Sequence, residues 1–222
     1  MKRIDNIYIK RFKYFNVYVI KGIDGDILID SGFIGMRRSL KKYLDQFNIK
    51  LIILTHAHVD HAWNTLYLKK LYNCEVLMGS EDVVNIDNRN IKSKCSKRRY
   101  SLWTKIMNLG MKWFKQKLFD PDILIDKDTY YKACGLRFKI VTLSGHTNGS
   151  IGLLYNKYLF AGDALVNRKS YVEIAYQNQD NDLAKESFKK IVKLKPKMVF
   201  IGHDRPIKSE KLIKSYERFK KS

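Results

Sequence analysis

Leu51-Ile52-Ile53-Leu54-Thr55-His56-Ala57-His58-Val59-Asp60-His61 runs from a short apolar stretch straight into three imidazoles and a carboxylate. Four consecutive apolar residues read as a strand covered on both faces. The loop that follows such a strand is where functional side chains are commonly presented. Imidazoles crowded into residues 56–61 repel one another once charged, unless a cation gathers them. His and Asp together are ligands of the kind zinc takes. The reading is therefore a metal site at a strand end.

Working outward, the other two histidines and one further aspartate have the same setting. His146 lies in Leu143-Ser144-Gly145-His146-Thr147-Asn148-Gly149, after an apolar stretch at 136–143. His203 lies in Ile201-Gly202-His203-Asp204 after 198–201, and Asp163 in Ala161-Gly162-Asp163 after 158–161. Each ligand candidate follows a strand signal, often with a glycine that lets the chain turn sharply beside it. Four strand ends delivering ligands to one edge make one site.

The remaining pattern is that of an α+β chain. Alternating stretches at 14–20 and 26–30, joined through Ile23-Asp24-Gly25, predict a hairpin. Further strands are expected at 8–9, 75–78, 123–125 and 151–155. Helical spacing predicts helices over 37–47, 62–72, 183–194 and 208–219, the first with Leu40, Tyr43, Leu44 and Phe47 on one face. Strands in two groups, each followed by helices, suggest two packed sheets with helices outside. The chain's 222 residues suit one well-buried core, and no Gly/Ser/Pro-rich linker divides them, so residues 1–222 are expected to form one domain.

Composition bounds the function. With 45% hydrophobic and 29% charged residues the chain is neither disordered nor fibrous. No apolar run reaches the roughly 18 residues that cross a bilayer. The start, MKRIDNIYIKRFKYFNVYVIKG, is broken by charges and lacks a small-residue cleavage site, so a cytoplasmic location is expected. Cys74, Cys95 and Cys134 are scattered and lack CxxC spacing, which predicts reduced, structural thiols. The net charge of +21 would attract a polyanion, but lysine far outnumbers arginine, whose fork suits specific phosphate recognition. Nucleic acid is accordingly not the favoured partner; a small-molecule substrate is.

Residues 92–119 stand apart: a basic start, then Trp103, Ile106, Met107, Gly110 and Phe114 on one side of a helix, with Lys105, Asn108, Lys112 and Lys115 on the other. Three roles suit this insert: a lid over the site, a helix packed on the domain's own core, or peripheral contact of 100–118 with an anionic membrane.

These motifs, in this order, resemble those of the metallo-β-lactamase superfamily. The resemblance rests on His-x-His-x-Asp-His at 56–61, Gly145-His146-Thr147, Gly162-Asp163 and Gly202-His203, with Leu28-Ile29-Asp30-Ser31-Gly32 similar to the family's second strand and turn. It implies a four-layer αββα sandwich with two metal ions, zinc first and iron or manganese as alternatives, at one edge. By the same resemblance His56, His58 and His146 would hold one ion, Asp60, His61 and His203 the other, and Asp163 would bridge them. Asp30 would support the site from behind, or merely end its strand. Two cations sharing a water lower its pKa from about 16 toward about 7, and Asp60 is the expected catalytic residue that orients it or passes its proton.

Departures narrow the substrate. An aspartate at the bridging position argues against antibiotic hydrolysis, and Ala164-Leu165-Val166-Asn167-Arg168 differs from the Gly-Cys-Gly-Arg/Lys of glyoxalase II-type enzymes. Val166 stands where quorum-signal lactonases place a tyrosine, and His58 where flavodiiron proteins have a glutamate. The expected reaction is hydrolysis of a small ester, thioester or lactone. The alternative, motivated by the +21 charge, is a phosphodiesterase or nuclease of the same superfamily.

Overall fold

The computed structural model describes residues 2–13, 15–86, 94–95 and 118–221. The insert expected over 92–119 thus lies almost wholly outside the described residues, and so do its amphipathic faces.

One sheet has seven strands in the order β1-β2-β3-β4-β5-β6-β8, formed by Lys2–Ile4, Ile7–Arg11, Asn16–Lys21, Asp26–Ile29, Ile49–Ile53, Glu75–Gly79 and Ile123–Ile125. It is antiparallel up to β4 and parallel from β4 to β8. The second has six, built from β9 (Thr129–Ala133), β10 (Leu136–Thr142), β11 (Ile151–Tyr155), β12 (Tyr158–Phe160), β16 (Met198–Phe200) and β17 (Ile207–Lys208), in the order β17-β16-β12-β11-β10-β9. Two small pairs complete the strands: β13 (Leu165–Asn167) with β14 (Val172–Ile174), and β7 (Lys94–Cys95) with β15 (Gln177–Asn178).

Period-two alternation sorts the side chains of each sheet. Tyr18 and Ile20, Ile27 and Ile29, Leu51 and Ile53, and Leu77 meet Phe138, Ile140, Ile151, Leu153, Phe160 and Phe200 between the sheets. The neighbours Val19, Leu28, Ile52, Val76 and Met78 point the other way, onto Leu40 and Leu44 of α1 (Arg37–Leu44) and Leu68 of α3 (Thr65–Tyr72). On the far side Val141, Leu159, Val199 and Ile201 pack on Phe188 and Ile191 of α4 (Asn181–Lys193) and Leu212 of α5 (Ser209–Phe219). The layers run helix, sheet, sheet, helix, the αββα arrangement expected. At about 25 cal/mol per Å² of apolar surface removed from water, these two-faced strands supply much of the folding drive.

The hairpin at 23–25 is present, with β3 and β4 antiparallel and the Gly22 N–H donating to the Gly25 carbonyl at 3.1 Å. The helix expected over 62–72 is instead two. A short α2 (Val59–Ala62) starts inside the predicted loop, and α3 begins at Thr65. The break falls at Asn64, where the Asn64 amide donates to the Ser31 and Phe33 carbonyls at 2.9 and 3.2 Å. A side chain that bonds distant backbone holds its own chain off the helical path.

Candidate metal centre

The seven predicted residues come together at one edge of the sandwich. His56, His58, Asp60 and His61 follow β5; His146 follows β10, Asp163 follows β12, and His203 follows β16. Three groups have ligand atoms within 4.8 Å of one another: His56 with His58 and His146; His56 with His61 and Asp163; and Asp60 with His61 and His203. Asp163 spans them, with Oδ1 3.5 Å from His61 Nε2 and Oδ2 3.0 Å from His203 Nε2 and 3.7 Å from His146 Nε2. Asp60 Oδ2 is 3.3 Å from His203 Nε2 and 3.7 Å from His61 Nε2.

The hydrogen bonds behind the rings assign their protons. The Gln177 carbonyl accepts from His146 Nδ1 at 2.7 Å, so His146 Nε2 carries a lone pair, and it lies 2.9 Å from His58 Nδ1. Asp30 Oδ2 accepts from His61 Nδ1 at 2.8 Å, which turns His61 Nε2 into the site. The Thr55 hydroxyl donates to Asp30 at 3.0 Å and so accepts from His56 Nδ1 at 3.1 Å. Asp30 also accepts the Thr55 N–H at 2.8 Å. One buried carboxylate, held at a φ of 60°, therefore aims two of the five imidazoles. The role the resemblance implied for Asp30 has a physical basis.

This donor set suits divalent cations. Nε2 of both His56 and His61 is buried with no hydrogen-bond partner, and a buried polar atom left unpaired costs about 1–3 kcal/mol, which a bound cation would relieve. Burial pushes His56 well below the usual imidazole range and His58 to about 3, with neighbouring imidazoles adding to the effect. Burial lowers His146 as well. For His61 burial acts downward, but Asp163, Asp30 and Asp60 outweigh it and raise the ring to about 9. Asp163 raises His203, half-exposed at the solvent edge, most strongly. The cluster thus splits into a neutral three-histidine half and a half where carboxylates concentrate negative charge, and both attract cations.

Asp82 carries no motif, and reading the sequence did not single it out. It is fully buried in the turn after β6, its Oδ2 accepting from Ala57 N at 2.7 Å and Thr147 Oγ1 at 2.9 Å. Ser80-Glu81-Asp82 offers no pattern by which to find it.

Among the described residues no helix is long and apolar enough to cross a membrane.

The family model described as the metallo-beta-lactamase superfamily matches residues 13–90 and 134–203. A probable metallo-hydrolase of Methanocaldococcus jannaschii is 30% identical over 156 residues, covering 68% of this chain and 66% of that protein. The hydroxyacylglutathione hydrolase GloC of Haemophilus influenzae is 31% identical over 120 residues, 53% of this chain and 50% of its own length. The chain therefore spans about two thirds of the first relative and half of the second. In fold it is similar to a protein crystallised in a di-iron-bound form, with a TM-score of 0.67 at 20% identity, covering 90% of this chain and 93% of that one.

Proposed function

Because the chain belongs to the metallo-β-lactamase superfamily, we propose that it is a metal-dependent hydrolase that cleaves a small ester, thioester or lactone with two divalent cations. The observation that carries this reading is the pair of buried, unpartnered Nε2 atoms of His56 and His61, facing Asp163 and the other three histidines. His56, His58 and His146 would hold one cation, Asp60, His61 and His203 the other, and Asp163 both. Zinc suits a His/Asp set best, and iron and manganese are compatible with it. Such a pair of cations supplies Lewis acidity and a water acidic enough to ionise near neutral pH.

The chain's own groups orient the reaction. Asp60 is a third exposed, and Oδ2 lies between His61 and His203 where the site opens to solvent. A carboxylate there can orient the attacking water by accepting a hydrogen bond from it. His203 and His61 hold that carboxylate ionised, pulling its pKa well below the usual range against the effect of burial. Asp30 and Gln177 fix His61 and His146 from behind, so neither ring turns during turnover.

The acyl substrate class is supported by the likeness to GloC, which is named a hydroxyacylglutathione hydrolase. Arg168, within the segment where this chain departs from the glyoxalase II pattern, donates from Nε to Glu173 at 2.7 Å and stacks over Tyr176. That departure places glutathione thioesters behind other small acyl substrates. The +21 charge favours a second reading, phosphodiester cleavage.

A panel of p-nitrophenyl acetate, acyl thioesters, lactones and bis(p-nitrophenyl) phosphate on metal-replete protein tests the proposal. Greatest activity on the carboxylic substrates, lost on chelation, is expected. Undiminished esterase activity in metal-free protein would end the proposal, and preference for the phosphodiester would replace it with the second reading.

A further inference from the structure

Asp82 lies away from the ligand atoms, yet it joins two of the loops that carry them. Its side chain is fully buried. Oδ2 accepts from the N–H of Ala57, the residue between His56 and His58, and from the hydroxyl of Thr147, the residue after His146. Oδ1 accepts from Gly149 N at 3.2 Å and from Asn85 Nδ2 at 2.8 Å. All four partners are donors, so only a carboxylate, acceptor at both oxygens, satisfies them together. Burial raises its pKa on balance, while the four donors pull the other way.

The packing is built around the same contact. A Cβ on Gly149 would strike the Asp82 backbone, and one on Gly79 would strike the Gly149 carbonyl. The His146 loop and the turn after β6 therefore meet backbone to backbone. Asn85 extends the tie: Oδ1 accepts from Gln179 Nε2 at 3.4 Å, while Gln179 accepts from Asn148 N through Oε1 at 2.7 Å and donates from its own N to the His146 carbonyl at 3.1 Å.

The other half of the centre is anchored elsewhere. Asp30 holds His61 directly, and Asp82 has no bond to Asp60, His61 or His203 among those described. Asp30 reaches the three-histidine group only at His56, through Thr55, whereas Asp82 ties the loops of His56, His58 and His146 together.

We propose that Asp82 is a positioning residue for the three-histidine half of the centre. Its carboxylate clamps the His56–His58 loop to the His146 loop and so sets the affinity of the His56/His58/His146 site, separately from the Asp60/His61/His203 site. This rests on the two-cation reading above. Asp82→Asn replaces one acceptor oxygen by an NH2 group, so a buried backbone N–H, that of Ala57 or that of Gly149, loses its acceptor whichever way the amide turns. Loss of a group that orients ligands from behind typically weakens a site by about tenfold to a hundredfold.

Cobalt(II) titration with a competing chelator, followed by visible absorption and by proton NMR of exchangeable imidazole N–H signals, reads each site. The wild-type protein is expected to take two equivalents. Asp82→Asn should keep one at wild-type affinity and bind the other about tenfold to a hundredfold more weakly. The shifted signal of His146 Nδ1–H should fade while that of His61 Nδ1–H persists. Thr147→Val removes a single donor to the carboxylate, and should give the same selective loss, smaller, if Asp82→Asn does not fold. Two sites of unchanged affinity in the variants, or an equal weakening of both, would overturn the proposal. Wild-type protein that takes fewer than two equivalents would instead sink the two-cation reading on which it rests.

Discussion

Replacing Asp30 by asparagine changes almost nothing in shape and removes a charge from the point where two ligand rings are aimed. Asp30 has a φ of 60°, a left-handed conformation that asparagine tolerates better than most residues. Backbone strain therefore contributes little to the outcome. The carboxylate serves three donors: Thr55 N at 2.8 Å, Thr55 Oγ1 at 3.0 Å and His61 Nδ1 at 2.8 Å. An amide satisfies them in neither orientation. With its oxygen toward Thr55, the NH2 faces His61 Nδ1, and the ring must move its proton to Nε2, the atom that would ligate. With its oxygen toward His61, the NH2 opposes the buried Thr55 N–H. Either way one charge-assisted hydrogen bond is lost, about 1.5–3 kcal/mol. At about 1.4 kcal/mol per factor of ten, that is a ten- to hundredfold loss of affinity at the site containing His61.

Chelator-competed cobalt titration measures this loss, with the His61 Nδ1–H signal as the local reporter and circular dichroism to show that the fold is kept. Thr55→Val separates the two branches, since it cuts the link to His56 Nδ1 at 3.1 Å and leaves the Asp30–His61 bond in place. It should therefore spare the His61 site. An Asp30→Asn protein that holds both cations at wild-type affinity would refute the reasoning that hydrogen bonds behind the rings set the centre. So would a Thr55→Val protein with the same defect as Asp30→Asn.

Three further outcomes follow from the same geometry. Gly202→Ala introduces a Cβ that collides with Asp163 Oδ1 and the His61 ring. Displacing these groups by about 1 Å should cut kcat/KM about a hundredfold while unfolding, followed by urea, shifts by about 1–3 kcal/mol. Chelation should lower the melting temperature reversibly, because a cation at a hundred times its Kd stabilises the fold by about 2.7 kcal/mol; an unchanged melting curve would count against a bound metal. In metal-free protein, stability should peak near the ordinary imidazole pKa. His58, depressed to about 3, binds protons more readily when unfolded, so acid removes stability as pH falls from about 6.5 toward 3. His61, raised to about 9, binds protons more readily when folded, so its contribution is complete below about 6.5 and is lost as pH rises through 9. Denaturation curves from pH 4 to 10 with chelator present check both limbs.

What could be read in the sequence, and what could not, divides by the range of the interaction involved. The two-faced strands β4 and β5 and the amphipathic helices α1, α4 and α5 declare themselves through local periodicity. The proposed ligands do too, because each follows a strand end. β9 was missed: in Thr129–Ala133 the burial alternates only between intermediate and exposed, since it is an edge strand with no fully covered face. The β13–β14 hairpin was missed because three-residue strands show no period. Asn64 divides the helix after the histidine loop by reaching carbonyls on the strand-end turn at 31–33, and nothing within a helical window reports such a bond. Asp82 is the extreme case. Its partners are three backbone or side-chain donors 25 to 67 positions away and one three positions on, so its weight is invisible until the chain is folded. Ligands must be imidazoles or carboxylates and betray themselves by type and crowding. The groups that aim them need only a lone pair in the right place, which a carbonyl such as that of Gln177 supplies as well as any side chain, so positioning leaves its trace in coordinates before it leaves one in a motif.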